Sequence, residues 1–435
     1  MSANPGSDSR NPRIAIIGAG PAGLVAAEVL ARAGCRVTIY ERMASPARKL
    51  LIAGRGGLNL THSEPRPSFL ARYGAAADWL APFLDAFPPA RLRAFAEGLG
   101  EPTFVGSSGR VFPRSFKASP LLRAWLARLD ALGVTLTSRH RWLGWTDAGA
   151  LRFETPEGER QVTADAVLMA LGGASWPRLG SDGGWVELLR AQGVEVAPLR
   201  PANSGVRIAW TESFRTRFKG QQLKRIALAV DGVTVRGEAM IDGEGLEGGA
   251  VYALSARLRE AIAREGRTTL TVDLRPDMSG EALAERLAST RKGESTANRL
   301  RKAGLSPVAA GLLREAGPLP GTPGELARRI KAVALTATGM APLERAISSA
   351  GGVTRANIDA GLMLKVRPSV FVAGEMVDWE APTGGYLLQA CFATGFAAAC
   401  GMLEHLGLPA PERWEGPWSA ADTVSDGEGM ARDDG

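Results

Sequence analysis

The residues with the most evident chemical potential are glycines. GAGPAG (18–23) and the pair of clusters in GEMVDWEAPTGGY (374–386) stand near opposite ends of the 435-residue chain. Glycine loses more conformational entropy on folding than any other residue, so such clusters mark backbone that another group must approach closely. GAGPAG follows the β-branched run RIAII (13–17) and opens the small-residue helix pattern LVAAEVLARAG. CRVTIYE then reads as a second strand ending on Glu41, 18 positions beyond Gly23. In such a unit Gly18 permits the tight turn, Gly20 lets the backbone meet a pyrophosphate, and Gly23 lets helix and strand pack closely. Pro21 and Ala22 open the helix, whose N-terminus turns about half a positive charge toward the phosphates. Glu41, with Arg42 beside it, can accept hydrogen bonds from an adenosine ribose. Strand, glycines, helix and acid are in register for a dinucleotide.

Two further segments interrupt the chain in the same manner. RKLLIAGRGGLNLTH (48–62) follows the second strand, and ADAVLMALGGASWPRLGSDGGW (164–185) runs from a strand into Gly172-Gly173. A nicotinamide dehydrogenase needs one nucleotide site and a separate catalytic domain. A bound FAD also needs contacts along its ribitol and around its ring, and three additional glycine-bearing segments fit that longer ligand. The sequence holds no second strand–GxGxxG–helix, which argues against a separate NAD(P) domain. The C-terminal segment is expected to return to the first sheet, with Gly374-Glu375 at the cofactor's middle. A helix starting near Gly384-Gly385 would turn its positive end to the ring.

IAIIGAGPAGLVAAEVLARAG, RKLLIAGRGGLNLTH, VLMALGGASWPRLGSDG and VFVAGEMVDWEAPTGGYLLQACFATG occur in the order seen in the BaiN/RdsA-like (YhiN-like) family of NAD(P)/FAD-dependent flavoproteins. The chain resembles a divergent branch of that family over roughly residues 13–405. The resemblance implies an α/β, FAD-binding Rossmann-like domain of the two-dinucleotide-binding-domain type, interrupted by a β-barrel-like insert with a small helical subdomain. It implies non-covalent FAD, NAD(P)H as transient reductant, and reduction of a carbon–carbon double bond. Family branches act on a uracil in ribosomal RNA or on a steroid-like enone. Gly18, Gly20, Gly23 and Glu41 match the ADP-binding motif. Gly374, Glu375, Gly384, Gly385 and Tyr386 match the C-terminal flavin motif, and Lys49, Gly54, Asn59 and Thr61 match the middle one. Gly172 joins them as a cofactor residue. The middle motif departs from the family pattern: Arg55 replaces a glycine, Gly57 an arginine, Leu58 a cysteine and His62 an asparagine. Chemistry requiring that thiol does not transfer.

A carbonyl-conjugated alkene also needs a proton donor opposite the hydride. Tyr386, His62 and Cys391 are the candidates, each with a plainer role: ring packing, capping a turn, and filling a helix face. Arg55 could hold substrate or phosphate. No catalytic residue is assigned.

The chain carries 52 Lys and Arg against 45 Asp and Glu, formally +7. All of the excess lies within residues 201–340, where 22 basic residues face 15 acidic ones. Its basic runs RTRFKGQQLKR, RKGESTANRLRK and RRIK are either a solvated surface or an RNA backbone site, with Lys224, Arg225, Arg299 and Arg301 as contacts. Few aromatics interleave these runs, which weakens a stacking model. Cys35, Cys391 and Cys400 form no C-x-x-C pair, and three scattered histidines do not suggest a metal centre. No signal peptide is evident and no stretch reaches the ~20 apolar residues that span a bilayer, so a cytoplasmic protein is expected. The expected domains are a polar tail (1–12), the FAD-binding domain (13–200 and 341–410), the insert (β-rich 201–275, helical 276–330, ending at 340) and a polar tail (411–435). Three functions remain open: an RNA uracil reductase, a small-molecule enone reductase, and a non-catalytic FAD-containing RNA-binding or assembly protein.

Overall fold

The structure, a computed structural model, describes residues 11–289 and 294–419. Most of each polar tail, and Arg291 and Lys292 of one basic run, lie outside the described residues. Five short apolar strands form a parallel sheet in the order Val370–Val372, Ala166–Met169, Arg13–Ile17, Arg36–Glu41, Thr135–Ser138. Ile14–Ile17 pair with Ala166–Met169 on one side and Val37–Tyr40 on the other, which explains why their β-branched runs are buried on both faces. The C-terminal strand pairs Val370–Val372 with Val167–Met169, so the last glycine segment does return to the first sheet.

Helix Pro21–Arg32 packs along helix Tyr386–His405. Their crossing depends on Gly395, where a β-carbon would meet Ala22 Cα at 2.8 Å and Val25 Cγ1 at 2.7 Å. The latter helix is long and apolar enough to cross a membrane by length and composition, contrary to the expectation from sequence. Two thirds of its apolar window is buried against the sheet domain, so core packing accounts for its composition.

A three-stranded antiparallel sheet, Thr61–His62, Arg110–Pro113 and Thr103–Val105, carries the end of the middle glycine segment. A meander of Arg141–Trp145, Leu151–Thr155 and Gly158–Val162 follows. By internal contacts the chain divides into residues 1–200 with 349–435, and residues 201–348. The second unit is a closed six-stranded barrel with helices. Its end lies eight residues beyond the expected 340, because Ala341 N donates to Gly205 O and Asn203 Nδ2 to Ser348 Oγ. Helices Gly249–Ala253 and Ser255–Glu265 also interrupt the stretch expected to be β-rich.

Candidate cofactor site

The glycines of 18–23 separate into two kinds. Gly18 adopts φ +106° and abuts the Ala170 carbonyl, and a β-carbon on Gly23 would run into the Gly18 carbonyl and Ile16 Cγ2. Both are required by the chain itself. Gly20 is not: its φ of −84° and ψ of 179° suit any residue, and a β-carbon there would meet no protein atom within 4 Å. Folding alone gives no reason for a glycine at this point, at the N-cap of an uncapped helix. A ligand approaching the backbone gives one.

Glu41 closes the second strand. Its Oε2 accepts from Ala19 N at 3.0 Å and its Oε1 from Met43 N at 2.8 Å. Each oxygen retains a lone pair for a further donor. Burial pushes its pKa above the ordinary value, against the opposing pull of those two amides and of Arg42 and Arg48. Arg42 pairs with Asp182 at 2.5 Å, which ties the 172–184 loop to the end of the second strand.

The three later glycine segments converge. Lys49 Nζ donates to Ser175 Oγ and to Glu375 Oε2, each at 2.8 Å. Glu375 Oε1 accepts from Ser349 N at 2.9 Å, and Ser349 Oγ from Ala174 N at 2.8 Å. Gly172 (φ +69°) sits against Ser181, and its carbonyl accepts from Trp185 Nε1. Gly374 (φ +78°) donates its N–H to Thr394 Oγ1, and a β-carbon there would approach Ala22 of the first helix at 3.1 Å.

Asn59 and Thr61 show a different feature. Asn59 Oδ1 and Thr61 Oγ1 are buried and find no hydrogen-bond partner in the protein. Buried polar side chains are nearly always bonded. Six other buried atoms among the described residues, His140 Nε2 and Gln389 Oε1 included, are orphaned as well. What sets these two apart is that they share one loop, where a single ligand would satisfy both. The loop meets the start of the last helix directly: a β-carbon on Gly385 (φ +93°) would strike Thr61 Cα at 2.6 Å. The Gly384-Gly385 pair is thus demanded by Thr61 and by the Tyr386 ring, which the sequence alone did not reveal. Gly54 likewise makes room for Ala118 of a neighbouring helix rather than lying open to a ligand. Nothing is described of the Arg55 side chain, so its expected role lies outside the described residues.

The three candidate proton donors are engaged. His62 Nδ1 accepts from Glu64 N (3.2 Å) and its Nε2 faces Ser108 O (3.0 Å), which assigns the neutral tautomer; burial also lowers its pKa. Tyr386 donates its hydroxyl to Glu64 at 2.8 Å, and burial together with that carboxylate raises its pKa. Burial pushes the Cys391 thiol up to about 12. Glu64, which none of the sequence motifs contains, is the residue sequence reasoning missed. The only signal was its place two positions after His62.

A family model described as the HI0933-like protein Rossmann domain matches residues 12–401. The 3-dehydro-bile acid delta(4,6)-reductase of Clostridium scindens is 26% identical over 409 residues, covering 89% of this chain and 98% of that one. The ribosomal RNA dihydrouridine synthase of Haemophilus influenzae is 25% identical over 259 residues, 55% of this chain and 60% of that one. Among solved structures, the 3-ketosteroid delta1-dehydrogenase of Sterolibacterium denitrificans, in complex with 1,4-androstadiene-3,17-dione, is similar in fold. Its TM-score is 0.51 at 12% identity, covering 91% of this chain and all of that one.

Proposed function

The chain belongs to the HI0933-like family, and we propose that it is an FAD-dependent oxidoreductase that reduces a carbon–carbon double bond conjugated to a carbonyl, fed by NAD(P)H. The observation that carries the reading is the pair of orphaned buried atoms, Asn59 Oδ1 and Thr61 Oγ1, on a loop packed against Gly385. The open backbone at Gly20 supports it at the other end of the site. In this reading Gly20, with Pro21 and Ala22, would receive the pyrophosphate on the turn that Gly18 and Gly23 shape, and Glu41 would take the ribose hydroxyls. Arg42 is a wall held by Asp182. Lys49, Gly172, Gly374 and Glu375 line the middle. Asn59, Thr61 and the helix start after Gly385 would hold the ring's polar edge, while Gly54 and Tyr386 would shape the site around it.

FAD supplies hydride exchange; the protein supplies orientation, electrostatics and access for a proton. Uncapped amides at the start of helix Tyr386–His405 place partial positive charge there, worth about 0.3–1 kcal/mol to a nearby negative charge. His62 and Tyr386 already direct their donor hydrogens at Ser108 and Glu64, and burial leaves the Cys391 thiol a weak acid, so none is assigned as the acid.

A 3-dehydro delta(4,6) steroid and a uracil share one reactive unit, an alkene conjugated to a carbonyl. The relative that aligns almost end to end acts on the former, which favours a cyclic enone as substrate. RNA is the second reading, motivated by the basic excess within residues 201–340 and by exposed Lys224, Arg225 and Arg301. A cytoplasmic location is part of the proposal and is consistent with the absence of disulfides among the described cysteines. The test is anaerobic: reduce the yellow protein with NADH or NADPH, then add a cyclic enone. Rapid reoxidation with a saturated ketone as product supports the reading. A flavin that reduces but is reoxidised only when dihydrouridine forms in ribosomal RNA moves the assignment to the second. A flavin that resists both coenzymes leaves the non-catalytic role.

A further inference from the structure

The last helix begins on two consecutive glycines and without a side-chain cap. Gly384 and Gly385 have φ of +135° and +93°, Gly385 provides no side-chain cap, and no acidic residue occupies the first turn. Backbone of this kind is permissive, and something else must hold it. Tyr386 is gripped at both ends: its carbonyl accepts from Tyr73 Oη at 2.8 Å, and its hydroxyl donates to Glu64 Oε2 at 2.8 Å. Glu64 Oε2 also accepts from Arg72 Nε at 3.0 Å, while Arg72 Nη2 pairs with Oε1. Glu64 N donates to His62 Nδ1, and the His62 ring lies on the Tyr386 ring, centroids 5.4 Å apart and planes 16° apart. Burial works to raise the Glu64 pKa, but the bonds from Arg72 and Tyr386 and the charge of Arg72 outweigh it and hold the carboxyl below its ordinary value.

We infer that Glu64 and Tyr386 are positioning residues that latch the uncapped start of the last helix to the loop carrying Asn59 and Thr61. Through that latch they set how strongly the site prefers reduced over oxidised flavin. Two of the latch's members, His62 and Glu64, follow Thr61 directly on the chain, and Arg72 and Tyr73 come just beyond helix Arg66–Ala71, so the restraint acts where the orphaned hydroxyl and the helix amides meet. Packing of Gly385 on Thr61 fixes the approach of the two backbones. The hydroxyl–carboxylate bond fixes the rotation of the first helical turn, and so the aim of its amides. The inference rests on the FAD reading.

The two residues can be separated by charge. Tyr386→Phe removes the latch bond and leaves every charge in place. Glu64→Gln leaves an amide oxygen to accept from the tyrosine but uncovers the positive charge of Arg72. The experiment uses the purified holoprotein and measures flavin content first, then the midpoint potential, visible spectrum and thermal midpoint. We expect about one FAD per chain in wild type and both variants. Tyr386→Phe should lower the preference for reduced flavin by about three- to tenfold, the range expected for one hydrogen bond. For a two-electron couple tenfold corresponds to ~30 mV. Glu64→Gln should shift the potential in the opposite direction, because an uncovered cation favours the more negative, reduced cofactor. Wild-type protein without FAD would sink the underlying reading. Full FAD in all three proteins, with potential and spectrum unchanged while only the thermal midpoint falls, would make the latch purely structural and overturn the inference. Equal lowering by both variants would overturn it too, by assigning the effect to general loosening.

Discussion

A buried hydroxyl with no partner penalises the empty protein and rewards the occupied one. Thr61→Val should therefore leave the apoprotein as stable as wild type, or more stable by about 1 kcal/mol, because an unsatisfied group is removed. The same change should weaken FAD binding by roughly 5- to 10-fold, the value of about one hydrogen bond. Paired thermal melts of apoprotein and a flavin titration check both signs; equal loss of both would place Thr61 in the core only. Gly20→Val should fold, since open space surrounds its β-carbon, yet fail to retain FAD. Glu41 adds a pH dependence. Its folded pKa is raised, so its favourable contribution to apoprotein stability exists below the unfolded pKa and is lost as pH rises through the folded one. Ribose donors favour the ionised carboxylate, so FAD affinity should fall as pH drops through the raised pKa of Glu41, and Glu41→Gln should flatten that slope. At this scale the strand–glycine–helix–acid arrangement of Gly18, Gly20, Gly23 and Glu41 was legible in the sequence, because that motif is local. The reasons for Gly54 and Gly385 were not legible. Each is set by an atom on a distant segment, Ala118 Cβ and Thr61 Cα.

The elements that carry the site were readable where their environment is uniform. RIAII, CRVTIYE and VLM are buried on both faces and announce themselves by composition. The return of Val370–Val372 to the same sheet followed from its glycine-rich exit. Helix Ser255–Glu265 was hidden because its amphipathic pattern lies between strands of the barrel. The apolar character of Tyr386–His405 was underestimated because glycine, alanine and cysteine dilute its larger residues. Those small residues have a purpose at the helix crossing. Gly395→Val would drive a branched side chain into Ala22 and Val25, and overpacking of this kind typically costs 1–3 kcal/mol. Ala22 lies in the first turn beside Gly20, so the same variant should also release flavin more readily. A melt and an equilibrium dialysis would register the two effects; an unchanged melt would mean the helices adjust without strain.

For the whole molecule, charge and site belong to different parts of the chain. The orphaned atoms and the glycine segments lie in residues 1–200 and 349–435, whereas the basic excess lies within 201–340. Lys224 and Arg225 are exposed at a β-bulge, with Arg225 at φ +52°, so two adjacent cations leave the barrel together. Arg301 is exposed and Arg299 half-buried on helix Thr296–Lys302. If this surface holds RNA, reversing Lys224, Arg225, Arg299 and Arg301 should abolish binding without loss of flavin, and wild-type affinity should fall steeply with salt. Binding that ignores both would leave the cyclic enone as substrate. Either substrate requires the same cofactor, and that is where the account is most exposed. Denaturing the purified protein and chromatographing what it releases should yield FAD at about one per chain. FMN, or no flavin from protein purified intact and then incubated with excess FAD, would contradict the reading of Gly20, Glu41, Asn59 and Thr61 as one site.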